Sequence, residues 1–142
     1  MEPPTREDEI HREEGAGEAR NGFRERYLGR SAAFLLPSLK LKQPPRQSDS
    51  SIESRLHDFL MKHFGGYTAQ AGNIFGYWRD EDGRDSYGEH REFTVAIDSA
   101  SALTVLKEYL ANLSHELAEE CIYLRSGEQT VLIYPGNSPE SR

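Results

Sequence analysis

The sequence predicts an α+β domain of two layers, with an antiparallel sheet carrying two helices on one of its faces. Two apolar stripes recur at helical spacing: Ile52, Leu56, Phe59, Leu60 and Phe64, then Leu103, Leu106, Leu110, Leu113 and Leu117. Between them Arg91 to Asp98 alternates strictly, with Phe93, Val95 and Ile97 pointing one way and Glu92, Thr94 and Asp98 the other, which is the period of a half-buried strand. Short apolar segments bounded by turn residues flank both helices, so each helix has a sheet to lie on.

Taken in order, Met1 to about Gly22 is rich in Glu, Arg, Gly and Pro, with Ile10 its single large apolar residue. It cannot bury enough surface to offset its ordering entropy and is expected to be disordered. Residues 23–47 form a basic linker with a candidate edge strand, because Leu39 and Leu41 alternate with Ser38 and Lys40 while Pro37 removes a ladder donor. Residues 48–135 make the folded domain, and 136–142 a polar tail. Ser50 and Glu53 have the spacing of a capping box for the first helix, and Gly65-Gly66 ends it. Asn73 to Arg79 reads as a strand with Ile74 and Trp78 on one face and Phe75 and Tyr77 on the other, which suggests a central or covered position. A polar loop, Asp80 to His90, separates it from the strand at Arg91. Asp98 can cap the second helix, from about Ser101 to Glu119. Cys121 to Arg125 and Gln129 to Tyr134 are joined by Ser126-Gly127-Glu128, a hairpin signal. With a first strand near residues 32–41 the order is βαββαβ plus an extra C-terminal strand, the ferredoxin-like arrangement.

Charge and composition exclude several classes. The chain has a formal net charge of -7. From Ser48 onward acids outnumber bases, so the domain repels phosphate backbones and no nucleic-acid partner is expected. No apolar run approaches the roughly 20 residues that span a bilayer, so no membrane partner is expected either. Neither a basic start nor an early apolar run marks an export signal, and one cysteine, Cys121, excludes an internal disulfide; both fit a cytoplasmic protein.

Gly65-Gly66-Tyr67-Thr68, Gly76-Tyr77-Trp78, Gly83 and Glu92-Phe93-Thr94-Val95 resemble an uncharacterised bacterial domain-of-unknown-function family over about residues 55–98. Members look like small ferredoxin-type domains, with a helix ending in a Gly-Thr turn, a strand carrying Gly-x-Trp and a next strand that opens with Glu. The resemblance implies the fold and no activity. The eleven-residue loop from Asp80 to His90 and the charged N-terminus depart from it.

Candidate chemistry is sparse. Asp80, Asp82 and Asp85 surround Gly83, but a calcium loop places its glycine sixth and a bidentate acid twelfth, where Arg91 stands here. His57 and His63 lie six apart and cannot share a helix face, so no metal is expected, and no motif calls for a cofactor. Acids beside Cys121 oppose thiolate formation. Two function classes remain. The first is a non-catalytic binding or assembly module whose aromatic sheet face (Phe75, Tyr77, Trp78) and adjoining loop (Tyr87, Glu89, His90) meet a second copy, a protein partner or a small-molecule ligand. The second is a small enzyme with a pocket between sheet and loop, using His90, Glu89 and Tyr87 for acid–base work. The first is favoured, because no second motif supports catalysis.

Overall fold

A computed structural model of the chain describes residues 22–42 and 50–136. The expected disorder of the N-terminal segment and the polar tail after Gly136 fall outside the described residues, apart from Gly22. The elements are β1 (Arg30–Pro37), a 3-10 turn (Lys40–Lys42), α1 (Ile52–Phe64), β2 (Thr68–Ala69), β3 (Ile74–Arg79), β4 (Asp85–Ile97), α2 (Ala100–Glu116), β5 (Ile122–Ser126) and β6 (Gln129–Ile133). They build one six-stranded antiparallel sheet in the order β2-β4-β1-β5-β6, with β3 also on β4. The predicted α+β class is what folds, with β6 as the added C-terminal strand.

The first strand differs from its prediction in place and in role. It runs from Arg30 to Pro37, upstream of the Leu39–Leu41 alternation, and lies in the middle of the sheet between β4 and β5. Phe34 pairs with Phe93 on one side and with Leu124 on the other. Pro37 closes the strand instead of marking an edge, since its missing donor matters least at the last ladder position. Leu39 turns out to solvent, while Leu41 enters the core from the 3-10 turn.

Both helices form where their apolar spacing places them, with caps displaced by one residue. Ser51, not Ser50, caps α1 by accepting the Ser54 amide at 3.0 Å. That leaves the Glu53 carboxylate free to take a 2.8 Å ion pair from Arg91. Ser99, not Asp98, caps α2 by accepting the Ala102 amide. Gly65 ends α1 in the left-handed conformation, with its amide on the Met61 carbonyl. Leu106, Leu110, Leu113 and Leu117 of the predicted stripe are buried, and Leu103 is half-buried at its end. They meet Phe34, Leu36, Phe93, Val95 and Leu124 from the covered face of the sheet. Phe59 and Tyr109 join the two helices by a stacked contact with ring centroids 3.7 Å apart.

The segment read as an eleven-residue loop is mostly strand. β4 is 13 residues long and begins at Asp85. Its first half pairs with β3 from Ile74↔His90 to Arg79↔Asp85, and its second half pairs with β2 and β1. Only residues 80–84 turn, held by the Asp80 carboxylate on the amides of Asp82 and Arg84 at 3.0 and 2.9 Å. β3 is therefore an edge strand, not a central one.

Candidate functional site

Strand alternation sorts the six candidate side chains onto two surfaces of the β3–β4 hairpin. Residues directly opposite in an antiparallel pair share a face. Ile74, Trp78 and His90 therefore share one face, while Phe75, Tyr77, Tyr87 and Glu89 share the other. The predicted phase of β3 is right. The side chain of His90 points to the opposite side of β4 from those of Glu89 and Tyr87, although all three residues line one cleft.

On the first face, continuous with the sheet surface that the helices leave open, a cavity of about 150 Å³ is lined by residues that include Leu35, Trp78, His90, Cys121, Tyr123 and Leu132. Two glycines make it. Gly76 and Gly88 pair across the hairpin, and the His90 ring lies over the space their missing side chains leave. A β-carbon on Gly88 would stand 2.5 Å from His90 Cε1, and one on Gly76 would stand 3.1 Å from Trp78 Cζ3. The Trp78 and His90 rings meet at 5.5 Å. His90 is 5% exposed, and burial pushes its pKa down, against smaller opposing influences of the Gly88 and Ile74 carbonyls and the Glu119 charge. The imidazole is thus neutral near pH 7. His90 Nδ1 and Trp78 Nε1 are buried without a hydrogen-bond partner among the described residues. Glu119, at the cavity wall, is paired with Lys40 at 2.5 Å.

Beside this cavity lies a more open cleft of about 260 Å³, walled by the 86–90 stretch of β4 and by Ala118 to Cys121. Cys121 is buried, and its thiol pKa is raised by burial first and by Glu120 second, so it is a poor nucleophile. No group of His, Cys, Asp or Glu among the described residues is arranged to hold a metal ion. The acids of the turn are engaged elsewhere: Asp82 with Arg84, and Asp85 with Arg79. His57 shares a 2.9 Å hydrogen bond with the Tyr67 hydroxyl.

On the second face the rings stand in solvent. Phe75, Tyr77 and Tyr87 are 59%, 75% and 53% exposed. They form one row, with Tyr87 at 6.2 Å from Phe75 and 4.8 Å from Tyr77. Glu89 borders the row and accepts the Asn73 amide at 3.2 Å. Sequence reading missed the part played by Gly76, Gly88, Leu35 and Leu132 in the cavity. The signal was the Gly-x-Trp and Gly-x-His spacing, which places each glycine on the same face as the ring two residues on.

No protein-family model matches the chain, and no curated protein matches it. Among solved structures, a phage SAM lyase in complex with S-methyl-5'-thioadenosine is similar at 16% identity, covering 75% of this chain and 90% of that one with a TM-score of 0.45. That overlap is too low to carry any chemistry across. No helix among the described residues is long and apolar enough to cross a membrane.

Proposed function

We propose that this domain is a non-catalytic binding and assembly module that docks a second copy of itself through the ring row of the β3–β4 hairpin. The observation that carries this reading is the row itself: Phe75, Tyr77 and Tyr87 lie exposed beside a strand edge that has no partner among the described residues. Sheet edges that stay solitary are blunted by charge, proline or a bulge in mid-strand. The middle of β3 reads Phe75-Gly76-Tyr77, uncharged and without proline, whereas Pro135 closely follows β6, at the opposite edge of the sheet. A two-fold pairing centred on Gly76 sets Phe75 of one copy against Tyr77 of the other, and Ile74 against Trp78. One self-complementary patch then covers every exposed ring of β3. The separation of His90 from Glu89 and Tyr87 counts against the acid–base alternative.

Light scattering after size exclusion tests the reading, with Tyr77→Glu as the perturbation. A buried aromatic anchor contributes about 2 kcal/mol or more, and two-fold symmetry counts it twice. The substitution is therefore expected to weaken the dimer by roughly a thousandfold. A wild-type chain that stays monomeric at its highest soluble concentration removes this function.

A further inference from the structure

The docking row carries unlike charge at its two ends. Strand register puts Arg79 and Asp85 at the turn end, on the same face as Phe75, Tyr77 and Tyr87, and puts Glu89 at the other end. Arg79 holds Asp85 through Nε and Nη2, at 2.7 and 3.4 Å, and the two side chains remain 71% and 73% exposed. An ion pair so open to water contributes little and is readily exchanged. Glu89 accepts the Asn73 amide at 3.2 Å, and the Asn73 carbonyl oxygen accepts the Ser38 hydroxyl at 2.7 Å, so the carboxylate is anchored to the body of the sheet. Among the described residues Glu89 has no ion pair. The other acids of the turn are occupied or turned away: Arg84 holds Asp80 and Asp82, and Glu81 lies within electrostatic reach of Cys121, on the side of the cavity.

In the pairing centred on Gly76, Arg79 of one copy stands opposite Asn73 of the other, since each is three residues from the centre. Glu89 lies one strand further in, opposite Phe75. Two strand spacings and a two-residue step separate the backbones of Arg79 and the second copy's Glu89 by roughly 12 Å. An extended arginine and an extended glutamate span that distance between them. We propose that Arg79 and Glu89 set the orientation of this pairing: on association each Arg79 turns from Asp85 of its own hairpin to the Glu89 carboxylate of the second copy. The two-fold makes the contact twice. The assignment rests on the docking reading above and adds direction to it. Rings alone attract any apolar edge, whereas unlike charges at the two ends favour the antiparallel approach and penalise a register that aligns like charges.

Charge exchange in the full chain tests the pair. Arg79→Glu leaves carboxylates at both ends of the row, and Glu89→Arg leaves guanidinium groups at both. Each variant alone is expected to self-associate about tenfold more weakly, or worse, because like charges then meet twice. Mixed in equal amounts, the two are expected to form a heterodimer with about the parental affinity, since both contacts return. Light scattering after size exclusion reads this at a concentration where neither variant associates alone. Adding Tyr77→Glu to either chain should abolish the heterodimer; a mixture that still associates is held together elsewhere, and the assignment falls. Should Glu89→Arg not fold, salt decides: rising ionic strength should weaken the parental dimer and strengthen that of Arg79→Glu. A parental dimer that neither Arg79→Glu nor salt alters overturns the pair while the docking reading stands, and so does a mixture that stays monomeric. A parental chain that is monomeric throughout removes the docking reading and this pair with it.

Discussion

Replacing Gly88 with alanine tests the packing that forms the cavity. The new methyl would lie 2.5 Å from His90 Cε1, closer than real carbon contacts allow, and a tight 3.1 Å from Nε2. The imidazole is buried and abuts Trp78, so it cannot swing clear without moving a second ring. Overpacking of this kind costs typically about 1–3 kcal/mol. Against it stands the gain of alanine over glycine in a strand, roughly 0.5–1 kcal/mol. The two ranges net to a loss of about 0–2.5 kcal/mol, centred near 1 kcal/mol, which at roughly 4–8 °C per kcal/mol lowers Tm by about 4–8 °C. Urea titration and thermal melting followed by circular dichroism measure it. Gly72→Ala is the control, because nothing lies within 4 Å of its added carbon, and it should be neutral or slightly stabilising. In a His90→Ala background, Gly88→Ala should cost at most half of what it costs alone, since the clash partner is gone. A Gly88→Ala protein as stable as the parent would refute the placement of the imidazole over Gly88.

Other outcomes follow from the same geometry. Leu110 is fully buried, so Leu110→Ala should cost about 2–5 kcal/mol by urea denaturation. The folded-state pKa of His90 is lowered, chiefly by burial, so between that value and the unfolded value of about 6.5 the unfolded chain binds the extra proton. Stability should therefore fall as pH drops below about 6.5, and His90→Phe should flatten that slope in melts run across pH. Ala118 sits at φ 57, a conformation that costs an alanine about 1 kcal/mol, so Ala118→Gly should stabilise by up to about that amount in a chemical melt. Millimolar calcium should leave Tm unchanged; a rise of several degrees that Asp82→Asn abolishes would show that the turn binds the ion after all.

Much of the scaffold was legible because it rests on period and on single-residue chemistry. The leucine stripe of α2, the alternation from Phe93 to Ile97 and the left-handed cap at Gly65 each have one physical reading. Adjacent serines at 50 and 51 blurred the cap of α1, since either hydroxyl reaches an amide and only the path of the chain chooses between them. The stretch from Asp85 to His90 looked like a loop because Ser, Gly, Glu and Tyr carry no apolar alternation. A hairpin exposed on one side and glycine-floored on the other needs none. Phase was readable in β3, yet which face met solvent was not, because that depends on how far the helix layer extends along β4. The same ignorance made His90 and Glu89 look like partners: closeness along the chain says nothing about a shared face until the segment is known to be extended.

The position of β1 has a consequence for the time course of folding. It is the first strand among the described residues yet central in the sheet, flanked by β4 and by β5. Its register is closed by Phe34 against Phe93 and Leu124, partners that emerge from a ribosome long after it. Loop closure over such spans is slow compared with helix formation, and mixed topologies of this kind fold more slowly than helical bundles. During synthesis the apolar run Ala32 to Leu36 must therefore wait with both edges open. A chain halted before Ile122 has no strand for the second of those edges. Such a nascent chain is expected to be digested in a protease-protection assay, as an unfolded species is.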